Sequence, residues 1–110
     1  LGLISSGMSG QKFTFTGYLP INIKERTKQL KYLEKKSIKN YETQIFIETP
    51  YRNNQLLALM KKVLSPNTQL SVASCLDSKE EKIISLPIRD WKKEKINLDK
   101  KPTVFLIGIK

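Results

Sequence analysis

The stretch TQIFIETPYRNNQLLALMKKVL, residues 43–64, changes its hydrophobic period halfway along. Residues 43–47 close on Ile45-Phe46-Ile47, nearly continuous in apolar side chains, as in a central strand buried on both faces. From Pro50 onward Leu56, Leu57, Met60, Val63 and Leu64 recur at three- and four-residue spacing, the stripe of one helix face. Thr49-Pro50 stands between the two patterns. Thr is a good N-cap and Pro suits the first helical position, so the pair is fit to start the helix over 50–64. A buried strand feeding directly into a helix predicts an α/β layer. The exit of that strand is charged, with Glu48 at its end and Arg52 four residues on.

Outward from this unit the same alternation continues. Upstream, Phe13-Thr14-Phe15-Thr16 alternates strictly, like a half-buried strand, and Gly17-Tyr18-Leu19-Pro20 closes it. Residues 22–39 read as a helix with Ile23, Leu30, Leu33 and Ser37 inward, and Lys24, Arg26, Lys28, Lys31, Lys35 and Lys36 outward. Leu1-Gly2-Leu3-Ile4 reads as the tail of a helix, broken by the Ser and Gly residues of 5–10. Downstream, residues 70–75 and 82–86 are two strands joined by the charged turn 77–81, an antiparallel hairpin. A short helix over 87–93 surrounds Trp91, residues 92–101 form a charged, solvated connection, and TVFLIGI, 103–109, is the last buried strand. The expected architecture is a single three-layer α/β lobe with a mixed, mostly parallel sheet of about five strands flanked by helices.

Composition narrows the chemistry. At 110 residues and 39% hydrophobic content the chain is one domain's worth with enough apolar material for a core. It has no histidine, which removes the common zinc sites and every Ser-His or Cys-His nucleophile pair within the chain. The single Cys75 excludes an internal disulfide and fits a reducing, cytoplasmic setting. No apolar run approaches the roughly 20 residues of a membrane span, so no membrane partner is expected. The formal charge is +10, but of 20 basic residues only Arg26, Arg52 and Arg89 are Arg. Phosphate-gripping surfaces lean more on Arg, so the charge points to an anionic partner only slightly ahead of a merely solvated surface.

Ligands of open α/β sheets bind beyond the carboxyl ends of strands. Three places qualify: Glu48-Thr49, Ser74-Cys75-Leu76 and Gly17-Tyr18. From periodicity alone Glu48 and Arg52 read as a local ion pair bracing the turn. No Gly-rich phosphate loop is present, and Asp77, Glu80 and Glu81 are interleaved with Lys79 and Lys82 as in a solvated turn, so no metal site is expected. Tyr18, Tyr41, Tyr51 and Trp91 are too scattered for an RNA-stacking platform, and Cys75 reads as a small buried residue.

Three segments together resemble a known family. SGMSGQKFTFTGYLP followed by KERTKQL resembles a block of Gly-Leu-Pro, then Arg-Phe, then Gly-Phe-Leu-Pro and a Lys/Arg-rich helix. TQIFIETPYR resembles Thr-Leu-Ile-Phe-Tyr-Glu-Ser-Pro-His-Arg, and KPTVFLIG resembles the closing strand. This order is similar to the tetrapyrrole-methylase-like superfamily of S-adenosylmethionine (SAM) methyltransferases. Within it the chain resembles the ribosomal RNA small-subunit methyltransferase I family, which methylates a ribose 2′-oxygen of 16S ribosomal RNA. The family pattern Ala-Arg-Glu-Leu-Thr-Lys stands here as Ala73-Ser74-Cys75-Leu76-Asp77-Ser78, and Tyr51 replaces the usual His.

The resemblance implies that residues 1–110 are the C-terminal lobe of a two-lobed enzyme, with SAM held between this lobe and an N-terminal lobe of the same protein. It implies cofactor contacts from Ile47, Glu48, Thr49, Ala73, Ser74, Pro102 and Thr103, and a cleft or substrate side formed by Gly17, Tyr18, Lys24, Arg26 and Arg52. No catalytic residue is assigned; Glu48 is the only carboxylate considered as a general base. RNA is the expected substrate, and an apolar face meant for the other lobe could also drive homodimer formation. Two alternatives stay open: methylation of a tetrapyrrole or other small molecule, and a non-catalytic basic module that binds RNA.

Overall fold

In a computed structural model of the chain, residues 12–76 and 78–108 are described. The expected helix tail at 1–4, the breaks at 5–10, Asp77 and Ile109 lie outside them. Five strands form one sheet in the order β1-β2-β5-β3-β4. They are β1 (Lys12–Tyr18), β2 (Glu42–Ile47), β3 (Gln69–Ser74), β4 (Lys82–Pro87) and β5 (Thr103–Gly108). Three α-helices accompany them: α1 (Ile23–Asn40), α2 (Asn53–Val63) and α3 (Ile88–Trp91).

The sheet is mixed and five-stranded, as the alternation of elements predicts, but the balance of directions is reversed. Only β1 and β2 are parallel, because α1 carries the chain back between them. The pairs β2–β5, β3–β5 and β3–β4 are antiparallel. The cause is β5, which slots between β2 and β3 in the opposite direction, an arrangement set by long-range pairing that local periodicity does not carry. The expected hairpin of β3 and β4 is present, with Ser74 opposite Lys82 and Gln69 opposite Pro87.

One face of the sheet carries the main core. Phe46 and Phe105, opposite each other on β2 and β5, stack with ring centroids 5.9 Å apart. Leu70, Val72 and Ile107 continue that face, and Leu30 and Leu33 of α1, Leu56, Leu57 and Met60 of α2, and Ile88 and Trp91 of α3 pack on it. The other face holds a separate cluster of Ile45, Leu106 and Val104. All described helices therefore lie on one side, and the third layer of the expectation has no counterpart among the described residues.

Polar ties hold the helices in place. Asn22 caps α1 by accepting from the Glu25 N–H at 3.2 Å. Glu34, buried on α1, accepts from the Thr68 hydroxyl and from the Ser65 N–H at 2.7 Å, fastening the turn that follows α2. The inward set of α1 differs from the sequence expectation at two places. Ile23 is 71% exposed, whereas Arg26, expected outside, is only 4% exposed. Helix α2 is preceded by a 3-10 turn, Pro50–Arg52, so the expected single helix over 50–64 is a turn plus a helix. Thr49 does stand at its N-cap, although its side chain caps no backbone N–H.

The connection over 92–101 is anchored more firmly than its charge suggests. Leu98 is fully buried in the core, Asn53 donates to the Lys101 carbonyl at 2.7 Å, and Asn54 accepts from the Leu98 N–H at 2.8 Å. These contacts bring Pro102 and Thr103 to a defined position at the start of β5. Among the described residues no helix is long and apolar enough to cross a membrane.

Candidate active-site cleft

Strand directions bring the scattered sequence segments to one end of the sheet. Strands β1, β2 and β3 all end there, while β4 and β5 begin there, since Tyr18 pairs with Ile47, Ile47 with Val104, Val104 with Ala73 and Ser74 with Thr103. An open cavity of about 310 Å³ sits at this end, lined among others by Tyr18, Ile47, Glu48, Ala73, Pro102 and Thr103. Five of the seven residues to which the family resemblance gives cofactor contacts, Ile47, Glu48, Ala73, Pro102 and Thr103, line it directly. Thr49 and Ser74 adjoin it along the chain.

Tyr18 reaches the cavity through a β-bulge. Register shifts between Phe15 and Gly17, and Gly17 adopts φ +82°, a conformation that a residue with a Cβ enters only with strain. The extra residue, Thr16, changes the alternation. Tyr18 is thereby turned to the face of Phe15 and Ile47, whereas an unbroken strand would point it toward the helices. Gly17 is thus a shaping residue behind the cavity.

Glu48 stands at the centre of a charged brace. One oxygen, Oε2, accepts from the Arg26 guanidinium, and Oε1 accepts from the Thr49 N–H at 2.7 Å with Arg52 Nη1 3.9 Å away. Arg26 also donates through Nε to the Pro20 carbonyl at 2.7 Å, so α1, β2 and the segment after β1 meet at this pair. Arg52 donates to the Thr49 hydroxyl at 3.4 Å, and its guanidinium lies 4.6 Å from the Tyr51 ring centroid. Each Glu48 oxygen accepts one hydrogen bond, which engages two of the carboxylate's roughly four acceptor positions. The local Glu48–Arg52 pair expected from their spacing is present; the closer partner, Arg26, comes from 22 residues earlier.

The residues expected on the substrate side divide. Arg26 and Arg52 line a second cavity of about 370 Å³ between the start of α1 and α2, together with Ile21, Ile23, Gln55 and Lys62. The Arg26–Glu48 pair forms the partition, since Glu48 lines one cavity and Arg26 the other. Lys24 is exposed and lines neither. Cys75, expected to be buried, is half-buried at the rim with φ +53°, and its N–H donates to the Pro102 carbonyl at 2.8 Å. That bond ties the exit of β3 to the entrance of β5. Among the described residues no group of His, Cys, Asp and Glu is arranged to hold a metal ion.

Sequence reasoning missed Pro50 and Val104 as lining residues, whereas Leu76 lay in one of the three strand-exit places it named. Val104 was legible only as an apolar strand residue, and its place at the cavity follows from the antiparallel register of β5.

No family model matches the chain. It is 37% identical over 82 residues to ribosomal RNA small subunit methyltransferase I of Bacillus subtilis (strain 168), which covers 74% of this chain and 26% of that protein. In solved structures the fold is similar to the methyltransferase CobJ, with TM-score 0.62 and 17% identity over 98% of this chain and 46% of that one. It is also similar to uroporphyrin-III C-methyl transferase of Thermus thermophilus, whose structure contains S-adenosyl homocysteine, with TM-score 0.50 and 11% identity over 96% of this chain and 48% of that one. The chain spans about a quarter of the length of the curated relative and just under half of the solved chains. Over 74% of its length the chain is a homologue, by sequence, of ribosomal RNA small-subunit methyltransferase I, and over nearly all of its length its fold is that of CobJ and uroporphyrin-III C-methyl transferase.

Proposed function

We propose that this chain is the C-terminal lobe of a SAM-dependent methyltransferase that acts on RNA, its cofactor held between this lobe and an N-terminal lobe of the same protein. The observation that carries the reading is the cavity at the carboxyl ends of β1, β2 and β3. Three separate segments, which the family resemblance ties to the cofactor, line that one cavity. Its lining fits one wall of a nucleoside-like ligand. Ala73, Pro102 and Thr103 keep side chains short near the backbone, and Ile47 and Tyr18 add apolar surface. SAM supplies an activated methyl group when bound. The part left to this chain is to orient the cofactor, exclude water and help align the acceptor, which is where most of the rate of a direct transfer comes from.

Glu48 and Arg26 act in this reading as positioning residues, because they fix the backbone of 47–49 against the cavity. The homology to a ribosomal RNA methyltransferase supports RNA as the substrate class. The departures from the family pattern at Ser74, Cys75, Asp77, Ser78 and Tyr51 keep small-molecule methylation as the alternative.

The test is methyl transfer from labelled SAM by the full-length protein to fractionated cellular RNA and, in parallel, to small-molecule fractions including tetrapyrroles. Label in ribosomal RNA, lost on ribonuclease treatment, is the expected result. Label only in the small-molecule fraction would replace the substrate class, and no transfer to any fraction would remove the enzymatic reading.

A further inference from the structure

Helix α1 presents to solvent a row of lysines at Lys24, Lys28, Lys31, Lys35 and Lys39, spaced four, three, four and four residues apart. That spacing keeps all five on one side of the helix, opposite Arg26, Leu30, Leu33 and Ser37. All five are exposed, and among the described residues none lies in an ion pair. Of the two carboxylates of the helix, Glu25 lies three residues from Lys28 and offsets only that end of the row, whereas Glu34 is buried against Ser65 and Thr68 and leaves Lys31, Lys35 and Lys39 unrelieved.

A solvated helix face usually mixes signs, since like charges four residues apart weaken the helix. Here Lys24/Lys28, Lys31/Lys35 and Lys35/Lys39 are all such pairs. The helix dipole rewards cations only in the last turn, so it accounts for Lys39 but not for Lys24 and Lys28, which sit at the end where cations are disfavoured. Beside the row a shallow cavity of about 380 Å³ is formed by Tyr32, Lys35, Lys36, Lys39 and Asn40, with Tyr32 57% exposed. An exposed ring among three ammonium groups joins a stacking surface for a base to counter-charges for phosphates. An acidic polypeptide would have no use for the ring, and Ile38, 49% exposed beside Lys31 and Lys35, gives a lipid layer little apolar area to bury.

We propose that the outer face of α1, from Lys24 to Lys39 with Tyr32 as a base-stacking residue, docks the phosphodiester backbone of the RNA substrate outside the cleft. This rests on the RNA reading of the cleft and adds a second point of contact. Helix α1 starts at the cleft end of the sheet and finishes at the opposite end, so the row from Lys24 to Lys39 leads away from the cleft over about 22 Å of helix. A substrate spanning both must be a structured or extended RNA longer than a few nucleotides.

The experiment measures binding of single-stranded and stem-loop RNA to the full-length protein across a salt series, for the parent, for Lys31→Gln/Lys35→Gln/Lys39→Gln and for Tyr32→Leu. Removing three phosphate contacts is expected to flatten the slope of log affinity against log salt by about 2. Tyr32→Leu is expected to weaken single-strand binding by about fivefold or more with little change of slope. Since the altered side chains are exposed, melting temperatures should match the parent, which separates lost contacts from lost folding. A parent that binds RNA with variants of unchanged slope and affinity overturns the docking surface and leaves the RNA reading standing. A parent that binds no RNA at low salt overturns the RNA reading itself. Equal competition by polyglutamate, with Tyr32→Leu indistinguishable from the parent, overturns RNA as the partner of this face in favour of an acidic protein.

Discussion

Replacing Glu48 with Gln would leave the Arg26 guanidinium, whose side chain is 5% exposed, with the Pro20 carbonyl and no carboxylate. Breaking a buried pair from one side strands a charge and typically costs about 3–5 kcal/mol, a large part of a domain's stability. We therefore expect Glu48→Gln to lower the denaturation midpoint clearly, and Arg26→Met combined with Glu48→Leu to recover most of the loss. A Glu48→Gln protein with parental stability but impaired transfer would make Glu48 a group that works on the substrate and not a brace. The local half of this arrangement was legible: Glu48 and Arg52 are four residues apart, and they do approach to 3.9 Å. Arg26 was not, because helical periodicity puts a charged residue outside by default, and only the packing of α1 across the exit of β2 gives it a buried acceptor.

Strand β1 is an edge strand, held in the sheet by β2 alone. Its polar anchor is Glu42, at the start of β2, which accepts from the Thr14 hydroxyl and lies 3.9 Å from Lys12 Nζ. The Thr14 hydrogen bond holds the Glu42 carboxyl below its ordinary value of about 4.5, opposed by burial and assisted by Asn40, Lys36 and Lys12. A lowered folded-state value means that the ionised form is bound more tightly in the fold. The contribution is thus fully present above about pH 4.5 and is lost as pH falls through the folded value. Denaturation followed from pH 7 to pH 3 should show a smaller acid loss in Glu42→Gln than in the parent, and parallel pH profiles would remove Glu42 from the anchoring of β1. At this scale the strands and helices could be read from period alone, within a residue or two at most ends. The bulge at Gly17 could not: a glycine closing a strand is visible in sequence, but the change of face that it gives Tyr18 appears only when Phe15 and Gly17 are seen in register with Ile45 and Phe46.

For the whole molecule, the cleft offers one wall. A cavity of about 310 Å³ open along one side cannot cover most of a nucleoside-sized ligand, and coverage of that kind is what ordinary small-molecule affinity needs. Titration calorimetry of the 110-residue chain with SAM should accordingly show no saturable binding below roughly millimolar, a level worth only about 4 kcal/mol. Micromolar binding by this chain alone would overturn the division of the site between two lobes. The sequence by itself determined the number and kind of elements, the α/β class, the hairpin of β3 and β4 and, through family resemblance, the segments that meet at the strand ends. These are local properties, written in hydrophobic period, turn chemistry and motif order. Only the tertiary structure decided that β5 runs antiparallel between β2 and β3, that the described helices cover a single face, that Arg26 is buried on Glu48, and that Tyr18 turns toward the cavity. Each of these depends on which distant segment becomes a neighbour, and the energy that selects the neighbour is released only when the core around Phe46 and Phe105 closes.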